Sequence, residues 1–82
     1  MSIKKPLVIK QPRFAEFIRE LRQTTGLTQE QFAAALGVTY PTVNRWENNK
    51  STASSMAMKL IQKMLQELEG ERGQELLKKY TS

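Results

Sequence analysis

The sequence predicts an all-α fold, a compact five-helix domain preceded by a basic N-terminal arm. Apolar residues recur at steps of three and four positions in five separate segments, which is the spacing of one helix face. Glycine, proline and polar residues separate these segments, and no stretch shows the two-residue alternation of a strand. With 82 residues, the chain is expected to form one small domain with a modest core.

The first helix is predicted in the segment PRFAEFIRELRQTTG. Pro12 suits a helix start, and Gly26 suits the position just after a helix end. Charges of both signs lie between the apolar residues, so this face is expected to pack on a core rather than on an anionic membrane. The apolar residues at helical spacing are Phe14, Phe17, Ile18 and Leu21.

The second helix is predicted in TQEQFAAALG, and the third in VTYPTVNRWE. Thr28 is a good N-cap for the second helix, and Gln31 completes a capping-box pattern. Pro41 is tolerated in the first turn of the third helix, because the N–H groups there have no intrahelical partner. The N-cap of the third helix is either Thr39 or Tyr40, and Thr39 is favoured because tyrosine caps poorly.

A longer fourth helix is predicted at residues 55–69, capped by Ser54 or Ser55. Two glycines interrupt the chain after it, and a last helix is predicted at residues 74–80, QELLKKY. The apolar residues of the fourth helix form a broad stripe that comprises Ala57, Leu60, Ile61, Met64, Leu65 and Leu68.

The composition argues against several classes of function. The chain contains no Cys, no His and no Asp, so Glu would be the only acidic metal ligand and neither a metal site nor another cofactor is expected. Ser, Lys and Glu form no recognisable nucleophile–base pattern, so an enzyme is not expected. No segment reads as a membrane span or a signal peptide, which predicts a cytoplasmic protein, of bacterial or phage origin, without a membrane partner.

The positive charge is concentrated at the N-terminus. The net charge is +5, and four of the thirteen basic residues precede the first acidic residue, Glu16. Residues 1–11 are therefore expected to form a flexible basic arm, which serves either to contact a polyanion or only to aid solubility. The four basic residues are Lys4, Lys5, Lys10 and Arg13.

The two short helices joined by GVT, residues 37–39, define a helix-turn-helix geometry. Ala33 is small enough for the two helices to cross closely, and Gly37 permits a positive φ in the turn. Val43 and Trp46 are expected to anchor the third helix in the core. The side chains left facing outward are Tyr40, Pro41, Asn44 and Arg45.

The segment LRQTTGLTQEQFAAALGVTYPTVNRWENNK, residues 21–50, resembles the lambda-repressor-like regulators of the xenobiotic-response-element class. The similarity extends over residues 17–69, more than half of the chain. It implies a helix-turn-helix DNA-binding domain, which we place at residues 12–69. Residues 70–82 lie outside the resemblance and are expected to form a C-terminal helix, a candidate dimerisation extension.

The resemblance implies that the helix at residues 39–47 lies in the major groove of double-stranded DNA. Pro41 stands where the family usually has a flexible polar residue, so the predicted base contacts are Tyr40, Asn44 and Arg45. The phosphate contacts that we expect are Gln29, Thr39, Thr42, Asn48, Asn49 and Lys50.

The resemblance also implies that Arg22 and Glu47 form a partly buried ion pair. The function that it implies is sequence-specific transcription regulation, with a repressor homodimer bound to a pseudo-palindromic operator in the nucleoid. An alternative is an antitoxin that binds a toxin protein and regulates its own operon. No ligand-sensing domain follows, so no small-molecule ligand is expected.

Overall fold

The computed structural model describes residues 8–81 and, in that range, confirms the all-α fold. The first helix packs against the third and the fifth, the second packs against the third and the fourth, and the fourth packs against the fifth. The helices of this part of the chain are α1 (Arg13–Thr25), α2 (Gln29–Leu36), α3 (Tyr40–Glu47), α4 (Ser55–Glu67) and α5 (Arg72–Thr81).

Aromatic side chains from three helices form the centre of the core. Phe14 and Phe17 of α1 and Phe32 of α2 have no solvent exposure. Trp46 of α3 packs edge-on against Phe14, with 5.8 Å between the ring centroids. Since each buried aromatic ring removes a large apolar area from water, these contacts hold α3 against α1. The prediction that Val43 and Trp46 anchor α3 agrees with their burial.

The short helices begin and end as their local sequence predicts. Thr28 and Gln31 form the complete capping box, in which each side chain accepts a hydrogen bond from the other residue's backbone N–H. Thr39 is the N-cap of α3 and precedes Pro41 in the first turn. Gly37 ends α2 with a φ of 77°, a conformation that costs glycine little.

Two residues of the expected arm belong to the folded domain. Ile9 is only 5% exposed and lies in the core cluster. The side chain of Gln11 is hydrogen-bonded to three backbone groups of the helical domain. The predicted boundary between arm and domain therefore moves from residue 11 to before Ile9. Residues 1–7, which contain Lys4 and Lys5, lie outside the described residues.

The last helix folds back on the domain. Leu76 is buried, and the Tyr80 ring packs edge-on against Phe17 with a centroid distance of 5.5 Å. The Arg13 guanidinium lies 4.6 Å from the centroid of the Tyr80 ring and donates a hydrogen bond to the Lys79 carbonyl. Burial raises the pKa of the Tyr80 hydroxyl. The C-terminal helix is thus part of the core.

The apolar stripe expected on α4 is only partly buried. Met58 and Leu65 are buried within the chain, and neither is available to a partner. Met56 is 75% exposed, and Leu60, a member of the predicted apolar stripe, is 39% exposed. These two residues are four positions apart and therefore share one helix face.

Gly73 provides a test of the contact between α4 and α5. A Cβ at this position would overlap the backbone carbonyl of Leu65, which cannot move aside like a flexible side chain. We expect Gly73→Ala to destabilise the fold by about 1–3 kcal/mol, as overpacking does. In an unobstructed helix the same change stabilises by up to about 1 kcal/mol. Urea unfolding measures the difference, and a stabilised variant would contradict the close approach of the two helices.

Candidate nucleic-acid interface

The turn between α2 and α3 fixes the orientation of α3. The N–H of Val38 donates to the Ala33 carbonyl at 3.0 Å, and the N–H of Gly37 donates to the Ala34 carbonyl at 3.2 Å. These bonds satisfy carbonyls that the end of a helix leaves free. Ala33 is buried, so its small side chain lies inside the helix–helix contact. The turn therefore presents one face of α3 to solvent.

The structure brings Arg22 and Glu47 together in a two-bond ion pair. Nε of Arg22 lies 2.8 Å from Oε2 of Glu47, and Nη2 lies 3.1 Å from Oε1. Glu47 is 5% exposed, whereas the Arg22 side chain is 22% exposed. The hydrogen bond to Glu47 raises the pKa of Arg22. A third bond, from Nη1 to the Leu27 carbonyl at 3.2 Å, extends the guanidinium contacts to the α1–α2 turn.

A chain of amide hydrogen bonds continues from this ion pair to the surface. Nε2 of Gln29 donates to Oε1 of Glu47 at 3.1 Å, and Nδ2 of Asn44 donates to Oε1 of Gln29 at 3.3 Å. Nδ2 of Asn48 donates to Oδ1 of Asn44 at 3.1 Å and to the Asn44 carbonyl at 2.8 Å. Gln29 and Asn48, which are expected to contact phosphate, are thus both hydrogen-bonded to Asn44, which is expected to contact a base.

The other expected base contacts are open to solvent. Tyr40 is 44% exposed, and Arg45 is exposed on the same helix. Arg45 also lines a cleft of about 300 Å³ between α3 and the start of α4, together with Thr42 and Thr52. Among residues 8–81, no carboxylate forms an ion pair with Arg45. Its guanidinium donors can therefore be used for a ligand.

Two threonine hydroxyls lie at the N-terminus of α3. Oγ1 of Thr39 and Oγ1 of Thr42 are 2.8 Å apart, and Oγ1 of Thr39 also accepts a hydrogen bond from the Thr42 N–H. Thr39 is exposed and Thr42 half-buried. These two expected phosphate contacts are therefore adjacent, on the edge of α3 that faces solvent.

The loop after α3 has a defined backbone. The N–H of Lys50 donates to the Arg45 carbonyl at 2.9 Å, and Asn49 has a φ of 61°. Asparagine tolerates this left-handed conformation better than most residues, so it suits this helix end. Asn48, Asn49 and Lys50 are all exposed. The loop thus holds three expected phosphate contacts on one short, fixed turn.

Gln11 supports the same loop and was not predicted as a site residue. Its Nε2 donates to the carbonyls of Trp46 and Ser51, at 3.2 and 2.7 Å. Its Oε1 accepts a hydrogen bond from the Ala15 N–H at 2.9 Å, in the first turn of α1. One amide side chain therefore connects the start of α1 with both ends of the loop at residues 48–50.

Residues 8–81 offer neither a metal-binding cluster nor a membrane-spanning helix. Within residues 8–81, no cluster of three or more acidic side chains is arranged to hold a metal ion. In the same range, no helix has both the length and the apolar content needed to cross a lipid bilayer.

Comparison with models of protein families shows which family the segment that carries this candidate site matches. The model of the helix-turn-helix family matches residues 18–69, which include all of α2, α3 and α4. This match covers more than half of the chain. Comparisons with curated proteins and with solved structures gave no match.

A double-mutant cycle tests the ion pair. Glu47→Ala leaves the Arg22 charge without its partner, and Arg22→Ala leaves the buried Glu47 carboxylate unpaired, so each change alone should destabilise the fold. We expect the double variant to lose less than the sum of the two, with a coupling energy of about 1–3 kcal/mol. Chemical denaturation of the four proteins gives this value. A coupling near zero would contradict a buried pair.

Proposed function

The chain belongs to the lambda-repressor-like helix-turn-helix family of DNA-binding transcription regulators, and we propose that it is a repressor that reads a pseudo-palindromic operator through α3. The observation that carries the proposal is the division of α3 into two faces. Val43 and Trp46 are buried on one face, while Tyr40 and Arg45 are exposed on the other. An α-helix held in this way can enter the major groove of B-DNA.

Base reading is assigned to Arg45, Asn44 and Tyr40. Arginine bonds O6 and N7 of guanine with two donors, and asparagine bonds N6 and N7 of adenine with one donor and one acceptor. Tyr40, at the start of α3, is proposed to contact a thymine methyl group or a phosphate. Pro41 has no N–H to donate and contributes shape only.

Phosphate binding is assigned to the rim of this face. The start of α2 carries Gln29, and helix N-termini favour anions. The threonine hydroxyls at the start of α3 and the loop at residues 48–50 lie on either side of the reading face. The net charge of +5 favours association with DNA, and Lys10 is an exposed cation at the N-terminal end of the domain.

Selection from random double-stranded DNA tests the proposed function. The full chain should enrich a short sequence made of two inverted copies, and its affinity for that sequence should exceed its affinity for scrambled DNA by about a thousandfold or more. Fragments recovered without any shared sequence would contradict a repressor that recognises an operator.

The proposed homodimer follows from the small size of one reading face. One α3 contacts only a few base pairs, so two copies on adjacent half-sites are needed to distinguish a site within a genome. The exposed pair Met56 and Leu60 on α4 is the proposed contact between copies. Half-sites should lie about 10–10.5 base pairs apart, one turn of the DNA helix.

Arg45 and Lys50 should affect DNA binding differently. Arg45→Ala removes a base contact. It should weaken binding to the operator by about 1–3 kcal/mol and relax the base preference at one operator position. Lys50→Ala removes a phosphate contact, so it should weaken specific and scrambled DNA equally and lower the salt slope by about one. Fluorescence anisotropy at several salt concentrations measures both. Equal weakening of the two DNAs by Arg45→Ala would make Arg45 a phosphate contact.

The α4 contact is tested by placing a charge on it. Met56→Glu should abolish cooperative binding to paired half-sites, because a desolvated carboxylate would lie between the two copies. It should leave binding to a single half-site unchanged, and Gln66→Glu, exposed on the same helix, is the matched control. Gel shifts and light scattering give the readout. Unchanged cooperativity would place the dimer contact elsewhere.

The same experiment bears on the antitoxin alternative. A protein that stays monomeric both free and on DNA would leave the pair Met56 and Leu60 open to a different protein, such as a toxin. Cooperative binding that is lost only in Met56→Glu would favour the homodimer.

A further inference from the structure

We propose that Gln29 and Asn48 are positioning residues that hold the side-chain amide of Asn44 in one orientation, and that this orientation decides which base pair Asn44 accepts. The inference rests on the proposed function, because it assumes that Asn44 meets a base edge. It assigns to Gln29 and Asn48 a role in specificity that a phosphate contact does not have.

The first fixed point is the Glu47 carboxylate. An ionised carboxylate has only acceptors, and both of its oxygens are held by the Arg22 guanidinium. Gln29 must therefore turn its NH₂ group toward Oε1 of Glu47, since its carbonyl oxygen would face another oxygen there. This orientation leaves Oε1 of Gln29 pointing at Asn44, where only a donor can be accommodated.

The second fixed point is a backbone carbonyl. Asn48 donates from Nδ2 to the main-chain oxygen of Asn44 at 2.8 Å, and that oxygen is also an acceptor only. The same NH₂ group then donates to Oδ1 of Asn44 at 3.1 Å. At each end of this chain of hydrogen bonds, a group that can only accept fixes the direction of donation. Both ends require the same orientation of the Asn44 amide, with its NH₂ group toward Gln29 and its oxygen toward Asn48.

The consequence concerns recognition of adenine. Asn44 directs its NH₂ group to the Gln29 side and its carbonyl oxygen to the Asn48 side, while one N–H and one lone pair remain free. Two-bond recognition of adenine needs the donor opposite N7 and the acceptor opposite the N6 amino group. A fixed amide presents these groups in one order only. With T·A, the thymine O4 lies where the amino group was, so the fixed carbonyl oxygen of Asn44 would face another acceptor. An amide free to rotate by 180° could donate to O4 instead and would discriminate less between A·T and T·A.

The test uses Gln29→Met and Asn48→Ala, singly and together. Methionine has a similar length without hydrogen-bonding groups, and the direct contacts between Arg22 and Glu47 remain. Asn49→Gly is the matched control, because it removes an exposed amide of the same loop and glycine keeps the left-handed backbone.

Binding is measured on the selected operator with each base pair at the position identified by Asn44→Ala. We expect the double variant to discriminate between A·T and T·A about tenfold less in Kd than the wild type, and to lose no further discrimination in an Asn44→Ala background. Asn49→Gly should weaken all base pairs alike. The proposal is overturned if Gln29→Met with Asn48→Ala also weakens all base pairs alike.

A measurement without DNA separates this inference from the proposed function. In the free protein, the NMR signals of the two Asn44 side-chain amide protons should move when Gln29 and Asn48 are replaced. Signals unaffected by both changes would reject the hydrogen-bonded chain. A wild-type protein that selects no DNA sequence would instead reject base reading, whatever the amide signals show.

Discussion

The buried carboxylate of Glu47 is the constraint on which the arrangement of the outward face of α3 depends. Glu47 is the last residue of α3. Arg22 of α1 compensates its charge, and Gln29 of α2 donates a further hydrogen bond to its carboxylate. Because a buried charge without partners is costly, these groups must stay together, and three helices are fixed relative to one another. The aromatic packing of Phe14 against Trp46 supports the same arrangement from the core. One buried residue at the end of α3 therefore helps to determine how the outward face of α3 is presented to solvent.

Local features of the fold could be predicted from the sequence, whereas long-range contacts could not. The capping box at Thr28 and the N-cap Thr39 depend on residues at most three positions apart, so their patterns are readable in a single chain. Gln11 was assigned to the arm because its partners, Trp46 and Ser51, lie 35 and 40 positions away. Gly73 was interpreted as a break between helices. It lies instead within α5, which approaches the backbone of α4 there.

The same distinction holds for the candidate site. The outward face of α3 follows from helical periodicity, and the family resemblance supplied the pair Arg22 and Glu47. Neither source indicated that Gln29 and Asn48 are both bonded to Asn44, because amide side chains carry no sequence signal for their partners. The resulting site has two parts. Arg45 and Tyr40 are exposed, and Asn44 is held by its neighbours.

Chemical-shift mapping tests most directly whether this face of the protein binds DNA. Uniformly ¹⁵N-labelled protein is titrated with a short duplex from the selection, and the backbone amide signals are followed. The largest changes should fall in the first turns of α2 and α3 and in the loop at residues 48–50, with small changes on the buried side of α1. Changes centred on α5 and the adjoining face of α1, with the signals of α3 unmoved, would contradict the account.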